Sequence, residues 1–156
     1  MHVSIFNDGT LIGHADLTEL DPPMGVATGR FVPSENYVQI EHANVVDGEY
    51  VGTRSDKFRV VSKEHGEIES SALAILDFPT LGEIEFHALG IKRPDYAVLF
   101  GDHPHYRAYY DLDLSDEERH AKGEALRKRT RARHVREWLW FLGTVAVLAV
   151  AVVWIV

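Results

Sequence analysis

No cysteine occurs among the 156 residues of this chain. That excludes disulfides, cysteine nucleophiles and thiolate metal sites, and it suits a reducing cytoplasm. Positive charge is scarce in the first two thirds. Residues 1–113 carry nineteen Asp and Glu against eight Lys and Arg, a net of −11. An acidic body does not suit phosphate-rich partners, which argues against nucleic-acid binding. Phosphate-cradling loops are missing too. Gly25 and Gly29 are followed neither by a third glycine nor by a Lys-Ser/Thr pair. The serines (Ser4, Ser34, Ser55, Ser62, Ser70 and Ser71 in this region) sit in no nucleophile-elbow pattern. The opening MHVSIFNDGT has neither the basic start nor the apolar core of a secretion signal.

One absence is of a different kind. Residues 138–156, WLWFLGTVAVLAVAVVWIV, contain no charge. As a helix, nineteen residues span about 28 Å, close to the ~30 Å hydrocarbon core of a bilayer. A core helix of a soluble domain shows a polar face, and here Thr144 is the one polar side chain after Phe141. Trp138 and Trp140 at one end and Trp154 at the other suit the headgroup levels. The run is therefore expected to be a single-pass transmembrane helix acting as a tail anchor. It is not a lipid-anchor signal, because the spacer before it is strongly charged. Upstream, Arg119, Lys122, Arg127, Lys128, Arg129, Arg131, Arg133 and Arg136 face a single acid, Glu124, between 119 and 136. The positive-inside rule then puts the preceding domain in the cytoplasm. Arg127, Lys128, Arg129, Arg131, Arg133 and Arg136 are the candidate contacts to anionic lipid.

Three regions follow: an acidic globular domain over 1–113, a charged helical stalk over 114–137, and the anchor over 138–156. The stalk opens with Ser115-Asp116-Glu117-Glu118, a capping-box pattern. No helix breaker stronger than Gly123 follows, so one long helix is expected to continue into the membrane.

The domain reads as mainly β, a small barrel or sandwich, with an α+β arrangement as the other choice. Residues 2–6 alternate and Asn7-Asp8-Gly9-Thr10 forms a hairpin turn. Residues 24–32, 57–62, 68–78 and 82–91 read as further strands, with a turn at 64–66. Residues 17–20 read as a loop or one turn of helix before Pro22 and Pro23. Residues 35–43 fit either a strand or a helical turn. Residues 94–100 suggest a short helix, and residues 106–112 alternate weakly.

Chemistry-bearing patterns are sparse. His103 and His105 flank Pro104, and with His87 and Asp102 they are candidate metal ligands. A His-x-His loop is more commonly solvated or capping. His14 with Asp16, and Glu41 with His42, pair an imidazole with a carboxylate, the raw material of a general base. Surface pairing is the plainer reading of both. The acids at 111, 113 and 116–118 lack the spacing of a calcium loop. Asp21, Pro22, Pro23, Met24 and Gly25 form a rigid turn, a candidate lining for a ligand or partner pocket.

The function expected from these features is a non-enzymatic binding module for a protein or small ligand, held at the inner face of a membrane. Its partners are the bilayer and a protein or a second copy of itself, and no cofactor is expected. One alternative is an effector whose ligand-driven oligomerisation makes the tail helices disrupt the bilayer. Another is a membrane-tethered, metal-dependent hydrolase built around His103 and His105.

Overall fold

The computed structural model describes residues 1–54 and 56–130. The chain divides into two units, Met1–Tyr110 and a second beginning at Asp111.

In the first unit, β1 (His2–Asn7) and β2 (Thr10–Asp21) form the expected hairpin. Its turn is Asp8-Gly9, both at positive φ (48° and 85°), the geometry that matches the twist of the two strands. β2 differs from expectation. It runs straight through 17–20, where a loop or helical turn is predicted. Leu17 is fully buried, and an irregularity between Leu17 and Glu19 keeps the following residues in register with β3 (Val26–Pro33). Burial of one side chain and a bulge outweigh the proline signal, which acts only at the turn of 3-10 helix over Pro22–Met24. Gly29 on β3 crosses β2 so closely that a Cβ would overlap the Asp16 carbonyl. Only glycine allows so close an approach of the two backbones.

After β3 the chain leaves the barrel for α1 (Gln39–His42), β4 (Val45–Val46) and β5 (Glu49–Tyr50). Residues 35–43 thus take the helical of their two readings. The chain then returns as β6 (Phe58–Ser62), β7 (Gly66–Phe78) and β8 (Glu83–Arg93). The antiparallel ladders β6–β1–β2–β3–β8–β7–β6 close on themselves. The domain is therefore mainly β and built on a six-stranded barrel, the first of the choices open to the sequence. β7 and β8 are long, thirteen and eleven residues, because closure needs tilted strands. β4 adds to β7 in parallel at Leu76 and Asp77, and β5 pairs with β4 outside the ring.

Inward-facing Val3, Ile5, Leu17, Val60, Ile75 and Phe86 fill the interior and are at most 1% exposed. Each such burial contributes about 1.5–3 kcal/mol. The predicted helix at 94–100 forms as α2 (Tyr96–Phe100), which seats Leu99 and Phe100 in the same core. The weak alternation at 106–112 does not make a strand. α3 (Pro104–Tyr109) stands there instead, because Pro104 starts a helical turn and, among the described residues, no strand pairs with the segment. At the opposite end, Asn44 ties the 34–57 excursion to the barrel. Its backbone N–H and its side-chain oxygen bond the Ile75 carbonyl and N–H (2.8 and 2.9 Å). Beside it the Tyr37 hydroxyl donates to buried Asp77 at 2.8 Å.

In the second unit, residues 116–130 are helical. The capping box is present: the Ser115 N–H donates to Glu118 at 2.8 Å and the Glu118 N–H to the Ser115 hydroxyl at 3.3 Å. Arg127, Lys128 and Arg129 are exposed. Among the described residues, no helix is long and apolar enough to cross a membrane. The expected span, with Trp138, Trp140 and Trp154, and the basic positions Arg131, Arg133 and Arg136 lie outside the described residues.

Candidate functional site

Three segments far apart in sequence meet at the barrel end closed by α2. They are the chain start, the β6–β7 turn at 63–65, and residues 97–103. Between them lies an open cleft of about 630 Å³, within the size range of small-ligand sites. Leu99 and Phe100 supply an apolar floor, and Lys63, Glu64, His65, Asp102, His103 and His2 a polar rim.

Several parts of the rim are held from behind. The β6–β7 turn is fixed where the Glu64 N–H donates to the buried Ser62 hydroxyl (3.3 Å) and where Gly66 takes positive φ. His2 shares a 2.8 Å hydrogen bond with Asp16 and stacks on His14, centroids 5.3 Å apart. α2 is pinned by the Tyr96 hydroxyl, which donates to the Val26 carbonyl at 2.7 Å. Burial, followed by the nearby Asp21 charge, pushes that phenol well above its ordinary range.

His103 is the cleft residue that the sequence singles out. Its Nδ1 accepts from the His105 N–H at 3.2 Å and so caps α3. Burial, then the adjacent His105, lowers its pKa below the usual imidazole value. The shift favours the neutral ring, whose Nδ1 is committed to the cap. His105 packs edge-on against it at 5.6 Å. His87 is elsewhere, on β8, bonded to Glu85 at 2.9 Å. Among the described residues, no three His, Asp or Glu groups gather closely enough to hold a metal ion.

The remaining candidates separate. His14 turns to the Ser4 hydroxyl at 3.1 Å rather than to Asp16. His42 is buried, and its Nδ1 accepts from the Val38 N–H across α1 at 2.9 Å, away from Glu41. Of Asp21, Pro22, Pro23, Met24 and Gly25, none lines the cleft. The Gly25 carbonyl accepts from the Ile91 N–H at 2.9 Å, and Met24 points outward, 67% exposed. His2, Lys63, Glu64 and His65 escape sequence reasoning because no local pattern links the two segments. The turn at 64–66 is visible in sequence, but what stands opposite it is not.

No protein-family model matches the chain, and no curated protein or solved structure matches it.

Proposed function

We propose that this protein is a non-enzymatic binding module whose barrel domain recognises a protein or small ligand, held at the cytoplasmic face of a membrane by residues 138–156. The observation that carries the binding half is the cleft itself. The barrel interior is filled, so recognition belongs on the outside. This concavity joins an apolar floor to a rim of both charge signs and three imidazoles, the composition of a site that orients a ligand. The rim does not favour catalysis. Nδ1 of His103 is spent on a helix cap, and the His65–Glu64 separation of 3.9 Å is longer than an oriented base–carboxylate bond. The membrane half rests on the charge-free run and on the basic residues before it.

Affinity capture with the tagged full chain from detergent extracts tests the cleft. Substituting His65 and His103 by Ala is expected to remove the captured partner while the far-UV spectrum stays unchanged. A partner set identical with and without the substitutions overturns the cleft as the binding site. Alkaline carbonate treatment of membranes tests the anchor. The chain is expected to stay in the pellet, and its release into the supernatant overturns membrane attachment through 138–156.

A further inference from the structure

The barrel is closed in its topology but not along its whole height. β6 and β7 pair only through Val60–Ile68, Val61–Glu67 and Ser62–Gly66. β7 gains its next neighbour on that side at residues 75–77, through Asn44 and β4. Between these points the strands part. An open groove of about 450 Å³ lies there, lined by Phe58, Arg59, Glu69, Ser70, Leu73 and Lys92 among others.

The backbone on both banks is directed into this groove. Strand N–H and C=O groups alternate from side to side. The Lys57 carbonyl accepts from the Asp8 N–H on the β1 side. Phe58, one residue on, therefore directs its own N–H and C=O the other way, toward β7. On β7, Ile75 gives both its backbone groups to Asn44 on the β6 side. Alternation puts the groups of Leu73, two residues earlier, on the same side. Among the described residues neither Phe58 nor Leu73 has a ladder partner across the groove. Leu73 is 7% exposed and Phe58 6%, so the groove alone solvates these groups and pairing them is favourable. The Ser70 hydroxyl is likewise buried without a partner among the described residues.

We infer that the β6–β7 seam is a docking slot for an extended peptide segment of a partner protein, which adds as a strand beside β7. The inference rests on the binding-module reading and names a second surface for it. β7 is irregular between Glu69 and Ser70, and the five residues that follow, 70–74, are about 17 Å of strand, enough for a short β-addition. Asn44 already imitates one residue of such a strand at Ile75, which shows the edge accepts a backbone-like partner. In the groove's own lining the acids Asp56, Glu67 and Glu69 outnumber the cations Arg59 and Lys92, which favours a peptide of positive charge. The side chains entering the slot would rest on Phe58, Ile68 and Leu73, so alternating apolar residues fit.

The test uses the full chain in detergent and a fluorescein-labelled heptapeptide of alternating valine and threonine with a lysine at each end. A second peptide of the same sequence carries N-methyl groups on alternate residues, which removes the donors from one edge. The plain peptide is expected to bind at least tenfold more tightly than the N-methylated one. Hydrogen–deuterium exchange resolved to single amides is expected to show the groove-facing N–H groups of Phe58 and Leu73 exchanging faster in the free chain than their ladder-bonded neighbours, and slowing with the plain peptide. Slow exchange of both in the free chain overturns the slot, because the seam would then be closed. Equal binding of the two peptides, no binding of either, or protection placed elsewhere overturns it too. The His65 and His103 substitutions separate this inference from the reading beneath it. Partner loss on those substitutions with an inert seam leaves the binding module standing and removes the slot.

Discussion

Tyr37, Asn44, His42 and Asp77 lie in neighbouring segments, and three of the four are buried polar groups. The bonds of Tyr37 to Asp77 and of Asn44 to Ile75 hold the segment around α1 on the barrel, and His42 closes α1 itself through the Val38 N–H. The Tyr37 phenol is pushed far up, first by burial and then by its bond to Asp77, so it acts only as a donor. Tyr37→Phe deprives the buried Asp77 carboxyl of that donor and is expected to cost about 1–3 kcal/mol, read as a fall in thermal unfolding temperature of the full chain. His42 sets a pH dependence. Burial lowers its pKa, with Glu41 opposing and Arg54 adding. Below the unfolded value of about 6.5 the unfolded chain takes up the proton more readily than the folded one. Stability is therefore full above that value and declines as pH falls through it toward the folded value. The melting temperature is expected to drop between pH 7.5 and 5.5, and to drop less in His42→Gln. An equal drop in both would remove His42 from the account. Gly29→Ala is expected to destabilise strongly, because the new methyl would overlap the Asp16 carbonyl.

Among the elements, the hairpins were legible and the departures from them were not. Asn7-Asp8-Gly9-Thr10 carries its own turn chemistry, so β1 and β2 follow from residues close in sequence. The continuation of β2 through Leu17 depends on a partner strand and a core that no local window contains. The same holds at 106–112, where a weak alternation gave way to α3. Ser115 and Glu118 are the opposite case: a local motif that forms as written. The two Ser115 bonds, backbone first and hydroxyl second, hold the Glu118 carboxyl below its usual range. A lowered carboxylate supports the helix above its unfolded pKa, and that support is lost as pH falls through the folded value. Ser115→Ala keeps the backbone N–H that donates to Glu118, so it is expected to lower helicity of the segment only in part at neutral pH by circular dichroism and to lose more on acidification to pH 3. Glu118→Ala removes both bonds, and its helicity is expected to change little over the same pH range.

For the whole molecule, the two proposed recognition surfaces lie outside the filled barrel: the cleft at the α2 end and the seam between β6 and β7. They differ in chemistry. The cleft presents side chains, three of them imidazoles, while the seam presents backbone donors and acceptors. Phe86, fully buried, belongs to the one core cluster that also holds Leu99 and Phe100 under the cleft and Phe58 and Leu73 at the seam. Phe86→Ala is expected to cost about 3–5 kcal/mol and to weaken partner capture at both surfaces together. Loss at one surface alone would show that the two are independent of the core.

Composition and short patterns by themselves determined the acidic, cysteine-free, β-rich character of this protein, its first hairpin, its helix cap, and the charge-free run that points to lipid. These follow from each residue's own chemistry and that of its near neighbours in the chain. His103 stood out in the same way, as half of a His-x-His pair. The tertiary structure alone decided that His103 faces His65 and His2 across a cleft, that its Nδ1 caps a helix, and that β6 and β7 part after three residue pairs. Such facts depend on strand closure and register, which bring together residues tens of positions apart, and no spacing along the chain encodes that meeting.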